Sequence, residues 1–366
     1  MTARIANLAG CGENERVFRL LGKPLTNSVN PILVQVTRGD SIESVHRGSA
    51  VVVAADGRTI AAWGDVDALI YPRSAIKPLQ ALPLIATGAA LRFGVTVAEL
   101  ALACGSHSGE PVHVQTAAGW LRRLGLGEDA LVCGPHTPID EAAANALAAA
   151  GEAPCRLHNN CSGKHAGFLT VARQLAAPLD GYAETGHPVQ QTVIATLSAL
   201  SDTDVGRLPK GIDGCGAPTF ALPLRSLALA FARFGTGVEM APEQAAAARR
   251  LAGAMSACPS LVAGTDRFDT RIIAASGGAV LVKGGAEGVA AAALPSLGHG
   301  IAVKIDDGAK RAAETAMAAL LARLAPLNDR GIAVVRDWLP KAIVNTQGRT
   351  VGRCRPAPDW LQSLVS

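Results

Sequence analysis

Hydrophobic residues near the two ends of the chain carry the spacing of strands, and those through its middle carry the spacing of helices. Leu33 to Thr37 and Ser49 to Ala54 are rich in β-branched residues. Asp56-Gly57 follows the second run as a hairpin turn dipeptide, so Thr59 to Trp63 is predicted to return beside it. A helix is predicted to begin close to Ser74, because Pro78 is tolerated only in a first turn, with Leu79 to Ile85 as its apolar body. Further helices are predicted over Thr96 to Ala103, around His113 to Leu124, and over Glu141 to Ala150 and Pro188 to Leu200. A glycine-containing turn entering a helix is predicted from Cys161 to Gln174. Gly278 to Val282 and Gly300 to Lys304 read as short strands separated by an alanine-rich piece, and Asp306-Asp307-Gly308 turns into a helix from Ala309 to Leu324.

Strands at both ends and helices between them fit an α/β (α+β) fold better than a βαβ series. The expected organisation is a sheet-containing lobe from about 31–72 and 260–366, with a helical lobe over about 73–259. Residues 1–30 read as a poorly ordered extension, and no period of 20–50 residues suggests repeats.

Composition narrows the function classes. Hydrophobic residues make up 49% of 366 and charged residues 17%, enough apolar material for a large core. The net charge of +4 is small, the arginines are scattered and aromatics are 4%, so neither a nucleic-acid footprint nor a base-stacking platform is present. No uninterrupted apolar stretch of membrane-spanning length occurs. The first thirty residues lack the charge and apolar pattern of a secretory signal, so a cytoplasmic location is expected and the eight cysteines are expected to be thiols, not a disulfide framework.

Four segments carry candidate chemistry. Ser74-Ala75-Ile76-Lys77 puts a hydroxyl and an amine one helical turn apart, the spacing of a Ser-Lys pair at the positive end of a helix. The same residues are also what an N-cap serine and an exposed lysine look like. Cys104-Gly105-Ser106-His107-Ser108 closes an apolar helix with small polar groups, either presented to a cleft or merely capping it. Val282-Lys283-Gly284-Gly285 ends a strand with a lysine and two glycines, a form that lets a ligand approach backbone closely or a strand turn away. Asn159-Asn160-Cys161-Ser162-Gly163-Lys164-His165, with Asp213-Gly214-Cys215-Gly216, supplies soft sulfur and nitrogen donors suited to zinc, though in no familiar zinc spacing. A phosphate loop is rejected. His165 follows the lysine, and His158 stands where the first glycine is needed.

In their order and spacing, Arg73-Ser74-Ala75-Ile76-Lys77-Pro78, the 104–108 cluster, Asn160 to His165, Asp213-Gly214-Cys215 and Lys304-Ile305-Asp306-Asp307-Gly308 resemble the rhizobial-type (class 3, asparaginase II) bacterial L-asparaginases. The resemblance runs over roughly Leu33 to Gly352. It implies a fold like that of serine β-lactamases and penicillin-binding proteins, homodimers, and L-asparagine as the small-molecule substrate. It also implies two catalytic tandems, Ser74 with Lys77 and Ser106 with Lys283, and one zinc per chain held by Cys161, Lys164 and Cys215. Asp213 and Arg73 fall at substrate-binding positions, and Arg38, Glu43, Ser44 and His46 in stretches similar to the family's substrate rim. In this reading Lys77, its pKa depressed by burial and by Lys283, takes the Ser74 proton. Two other classes share part of the pattern. An SxxK serine hydrolase of the β-lactamase or peptidase type would share the first tandem but lacks a Ser-x-Asn triplet here. A non-catalytic zinc-binding protein would need only Cys161, Lys164 and Cys215.

Overall fold

The computed structural model describes residues 29–362. Among them, eight antiparallel strands form one sheet in the order Lys341–Val344, Thr350–Pro356, Ile32–Arg38, Ser41–Ala54, His299–Ile305, Val289–Leu294, Leu281–Gly284, with Thr59–Trp63 pairing off this path against Ser41–Ala54. Both ends of the chain therefore build the sheet, as the hydrophobic spacing implies. Val34 lies opposite Pro356 on one side and His46 on the other. The 41–54 strand is longer than expected because its first half pairs with 32–38 and its second half with 299–305.

The alanine-rich piece is itself a strand. All six residues of Val289–Leu294 are buried, so both faces of the sheet are covered there and no polar alternation marks the strand in the sequence. One covering helix is Leu224–Thr236, which packs across the 41–54, 289–294 and 299–305 strands although its place in the sequence falls within the expected helical lobe. The approach is close enough to dictate glycine: a Cβ at Gly300 would lie 1.9 Å from the Ala228 carbonyl oxygen. Arg233 on this helix is buried and donates to the carbonyls of Ala199 and Leu200, at 3.1 and 3.3 Å, while pairing with Asp202. Helix Lys310–Leu324 packs against 32–38, 289–294, 299–305 and 350–356.

The remaining helices form a layer in which Val97–Ala103 packs against Pro111–Arg123, Ser162–Gln174 and Pro242–Ala257. Its start is fixed by a capping box between Thr96 and Glu99, and its end delivers Cys104 to Ser108 into the interior. The strand expected from Gly278 begins only at Leu281, since Gly277 and Gly278 both take positive φ to turn the chain out of Phe268–Ser276. The seven cysteines among the described residues are free thiols. Most of the expected N-terminal extension, residues 1–28, lies outside the described residues. Asn30 is held firmly, donating to Asp306 at 2.9 Å and accepting from the Asp65 amide at 2.9 Å.

Candidate active site

Ser74 does not start a continuous helix. Arg73–Ile76 is a 3-10 turn, followed by single α-helical turns at Lys77–Gln80 and Leu82–Ala86, each opened by a proline that interrupts the preceding hydrogen-bond ladder. Arg73 has φ of 51°, a left-handed conformation costing a non-glycine residue about 1 kcal/mol or more. Its guanidinium holds it there. Nη2 and Nε lie 2.7 and 2.9 Å from Asp213 Oδ1, and Asp213 is itself fixed by its amide donating to the Ala217 carbonyl.

Behind this turn is a cavity of about 270 Å³ whose wall includes Ser74, Ser106, Asn160, Arg267, Asp269 and Gly284. Ser106 Oγ is buried and has no hydrogen-bond partner among the described residues, while its carbonyl accepts from Arg267 at 2.8 Å. Two lysines are buried beside the cavity. Lys77 Nζ donates to the carbonyls of Gly105 and Asn160 at 2.8 and 3.1 Å. Lys283 Nζ donates to the Gly284 carbonyl at 2.7 Å and to Asp269 Oδ2 at 3.2 Å. Burial pushes the Lys283 pKa down to about 8, Lys77 and Arg267 push the same way, and Asp269 opposes them. Among these effects burial is the largest, so the surroundings lower the pKa of Lys283 although Asp269 holds it up.

His107 is a fastening. Its Nδ1 accepts from the Gly109 amide, so Nε2 donates to Ser162 Oγ at 2.9 Å, and burial with nearby cations keeps the ring neutral. Burial likewise pushes the Cys104 thiol up. A larger cavity, about 420 Å³ between Ser260 and Val334, contains none of the expected site residues.

The two cysteine segments do meet. Cys161 precedes helix Ser162–Gln174, Lys164 lies one turn along it, and Lys164 Nζ is 3.0 Å from Cys215 Sγ. Cys161 Sγ donates to Asn160 Oδ1 at 3.1 Å. The neighbouring Cys161 thiol, with help from Lys164 and His165 and against the opposing effect of burial, holds Cys215 below the usual thiol range. Cys215 and burial together push Cys161 up. Burial works against charge on Lys164, but Cys215 and Cys161 outweigh it and raise its pKa. Among the described residues, no set of three or more His, Cys, Asp and Glu side chains is arranged to hold a metal ion. The trio offers two sulfurs and an amine, and this donor set fits zinc.

The expected rim residues lie elsewhere. Arg38 and Glu43 pair with each other at 3.0 Å at the exposed end of the first hairpin, and Ser44 sits opposite Val36 within it. His46 Nδ1 is 2.6 Å from Asp307, and its Nε2 faces Arg311 at 3.1 Å. None of the four lines the cavity. Their nearest charged partners come from strand register and from the 304–308 turn, which ties the first strands to helix Lys310–Leu324. The sequence reading missed Asp269 and Arg267, since an acid in a helix's first turn and an arginine before it have an ordinary capping explanation.

The sequence matches the family model of L-asparaginase II over residues 34–356. No curated protein matches it significantly. Among solved structures it is similar to Mglu in its native form in 4.3 M NaCl, at 14% identity and a TM-score of 0.39, covering 80% of this chain and 60% of that one. It is similar also to a β-lactamase from Mycobacterium bovis, at 15% identity and a TM-score of 0.40, covering 75% and 94% of the two chains. A mutant of the class A β-lactamase of the last common ancestor of Gram-negative bacteria gives 16% identity, a TM-score of 0.34, and coverage of 80% and 93%. The chain thus spans about three fifths of the length of the Mglu chain.

Proposed function

The chain belongs to the L-asparaginase II family of amidohydrolases, and from that premise we propose that it hydrolyses L-asparagine to L-aspartate and ammonia with Ser74 as nucleophile. The observation that carries the mechanism is one cavity walled by Ser74 and Ser106 with two buried lysines beside it. As a neutral amine, Lys77 would spend both N–H bonds on the Gly105 and Asn160 carbonyls and keep its lone pair for the Ser74 proton. Ser74 Oγ then bonds to the amide carbon. Charge collects on the carbonyl oxygen, the step that backbone N–H groups near Ser74 would stabilise.

Collapse breaks the C–N bond, and the nitrogen must leave with an added proton. Protonated Lys283 has one N–H left after Asp269 and the Gly284 carbonyl, and Ser106 Oγ has no other partner, so the two form the relay that supplies it. Water then attacks the ester carbon and gives its proton back to the Ser106 and Lys283 relay, the C–O bond to Ser74 breaks as Lys77 returns the proton to Ser74 Oγ, and aspartate is released. Arg73 and Asp213 border the substrate's amino-acid end in this reading. Cys161, Lys164 and Cys215 would hold one zinc, whose chemistry there is to bind the substrate's α-amino and α-carboxylate groups. Lys164 must lose its proton to serve as a ligand, so zinc affinity rises with pH. The family resemblance supports a homodimer. Among the described residues, no helix is long and apolar enough to cross a membrane.

Ammonia release from a panel of asparagine, glutamine and simple amides tests this. Wild type is expected to turn over asparagine. Ser74→Ala should lose about 10³-fold or more in kcat with an unchanged melting temperature. Residual activity well above that level removes Ser74 as the nucleophile.

A further inference from the structure

Lys283 and Asp269 form a buried ion pair, with side chains 1% and 8% exposed; Asp269 lines the cavity, as does Gly284, the residue after Lys283. Asp269 is the second residue of helix Phe268–Ser276, and Lys283 belongs to the edge strand Leu281–Gly284 that packs against it. One oxygen, Oδ2, takes both the Lys283 amine at 3.2 Å and the Gly284 amide at 3.0 Å. A carboxylate serving only to pair a buried lysine would need no bond to the strand backbone. Here the second bond fixes the strand end carrying Gly284, which lines the cavity, and the first fixes the amine beside it.

We propose that Asp269 is the positioning residue for Lys283, holding the amine at the cavity wall and keeping it protonated so that its remaining N–H serves the Ser106 relay. The proposal rests on the amide-hydrolase reading, since a binding protein has no leaving group to protonate. The balance of charges around Lys283 explains why the carboxylate is needed. Arg267, immediately before the same helix, and Lys77, on its separate turn, both disfavour a third positive charge, as does burial. Cys104, at the end of Val97–Ala103, is a neutral buried thiol. Arg73, on the turn packed against the strand, is committed to Asp213. Asp269 is the group that opposes them. Without it the Lys283 pKa would fall further, and less of the amine would carry the proton that the relay gives.

The sign is fixed by this arrangement. A lysine acting as acid loses function as pH rises through its pKa, so the wild-type rate should fall on an alkaline limb near pH 8. Asp269→Asn keeps the shape and an acceptor oxygen but removes the charge, and should move that limb down by about one pH unit or more. Arg267→Gln removes an opposing cation and should move it up. Asp269→Glu, which keeps the carboxylate, should restore the limb toward wild type.

The experiment measures each variant twice: by the pH profile of ammonia release, and by NMR titration of Lys283 in protein labelled at lysine, assigned through Lys283→Met among the chain's eight lysines. Opposite displacements in Asp269→Asn and Arg267→Gln, by both readouts, support the proposal. A Lys283 titration that stays at its wild-type position in both variants overturns it, even where their rates fall. If Asp269→Asn does not fold, Arg267→Gln and Asp269→Glu decide alone: an unmoved titration in the first, or a downward move in the second, overturns the assignment. Absence of ammonia release by wild type would refute the hydrolase reading separately, through a measurement the NMR titration does not share.

Discussion

Gly285→Ala is a one-carbon wedge aimed at the turn that carries Ser74. A Cβ at this position would lie 2.6 Å from the Pro72 carbonyl oxygen and 3.1 Å from the Ala75 amide nitrogen. Both atoms are backbone, and they hydrogen-bond to each other across the turn at 3.0 Å. No rotamer change relieves the contact. The Gly285 amide is itself anchored to the Val289 carbonyl at 2.8 Å, so the strand cannot simply swing away. Reaching ordinary contact at 3.4 Å from the carbonyl oxygen asks for about 0.8 Å of separation between strand and turn. Overpacking of this kind costs about 1–3 kcal/mol, and a misplacement near 1 Å at a nucleophile costs about 100-fold in rate. The expected result is a kcat lower by about 10- to 100-fold with a melting temperature only a few degrees below wild type. Steady-state ammonia release and thermal unfolding followed by circular dichroism read the two quantities. Gly253→Ala is the control. Its site in helix Pro242–Ala257 has nothing within 4 Å, so the added methyl should leave kcat alone and stabilise by about 0.5–1 kcal/mol. If Gly285→Ala keeps its wild-type kcat, or Gly253→Ala loses as much, the geometric reasoning about the Ser74 turn is wrong.

Cys215→Ser should abolish zinc binding by elemental analysis and raise KM by about tenfold or more with a smaller loss in kcat; protein purified without chelator that holds no zinc, or an unchanged KM, would return the thiols to ordinary packing. Arg233→Met should cost about 3 kcal/mol in a denaturant titration, because it leaves the buried Leu200 carbonyl and the Ala199 carbonyl without their donor and Asp202 without its pair, while kcat stays at wild type since Arg233 lies outside the cavity. A stability loss below about 1 kcal/mol would show those carbonyls to be satisfied by water instead.

The motif-bearing part of the candidate site could be singled out in the sequence because its residues lie close along the chain. Ser74 lines the cavity with Lys77 buried one turn further on, and Lys164 follows Cys161 by one turn. What sequence spacing does not carry is charge contributed by another element. Asp269 reaches Lys283 only because helix Phe268–Ser276 docks on the edge strand, and in the sequence it is one more acid near a helix start. Likewise Glu43 and His46 stand near family-like positions, yet strand register gives them Arg38 and Asp307 as partners. In the fold, strands with one polar face or β-branched runs were readable, whereas Val289–Leu294 was not: four alanines buried on both sides have neither alternation nor strand preference. The Ser74 helix failed for a different reason. Pro78 marks a first turn correctly, but Pro83 marks another one soon after, and two such starts leave no room for a helix between them.

The pairing of Ile32–Arg38 with Thr350–Pro356 has a consequence for how the protein is made. A ribosome finishes the first hairpin long before it synthesises the strand that covers its outer edge, and 299–305, which covers the inner one, comes scarcely sooner. Through most of elongation the apolar second half of the 41–54 strand therefore lacks its 299–305 partner, and the cavity beside Ser74 lacks its 284–290 wall. Such long-range closure slows folding and leaves nascent edges that invite pairing between neighbouring chains. Yield of this protein should accordingly depend on chaperone capacity and translation rate more than on the stability of the finished fold.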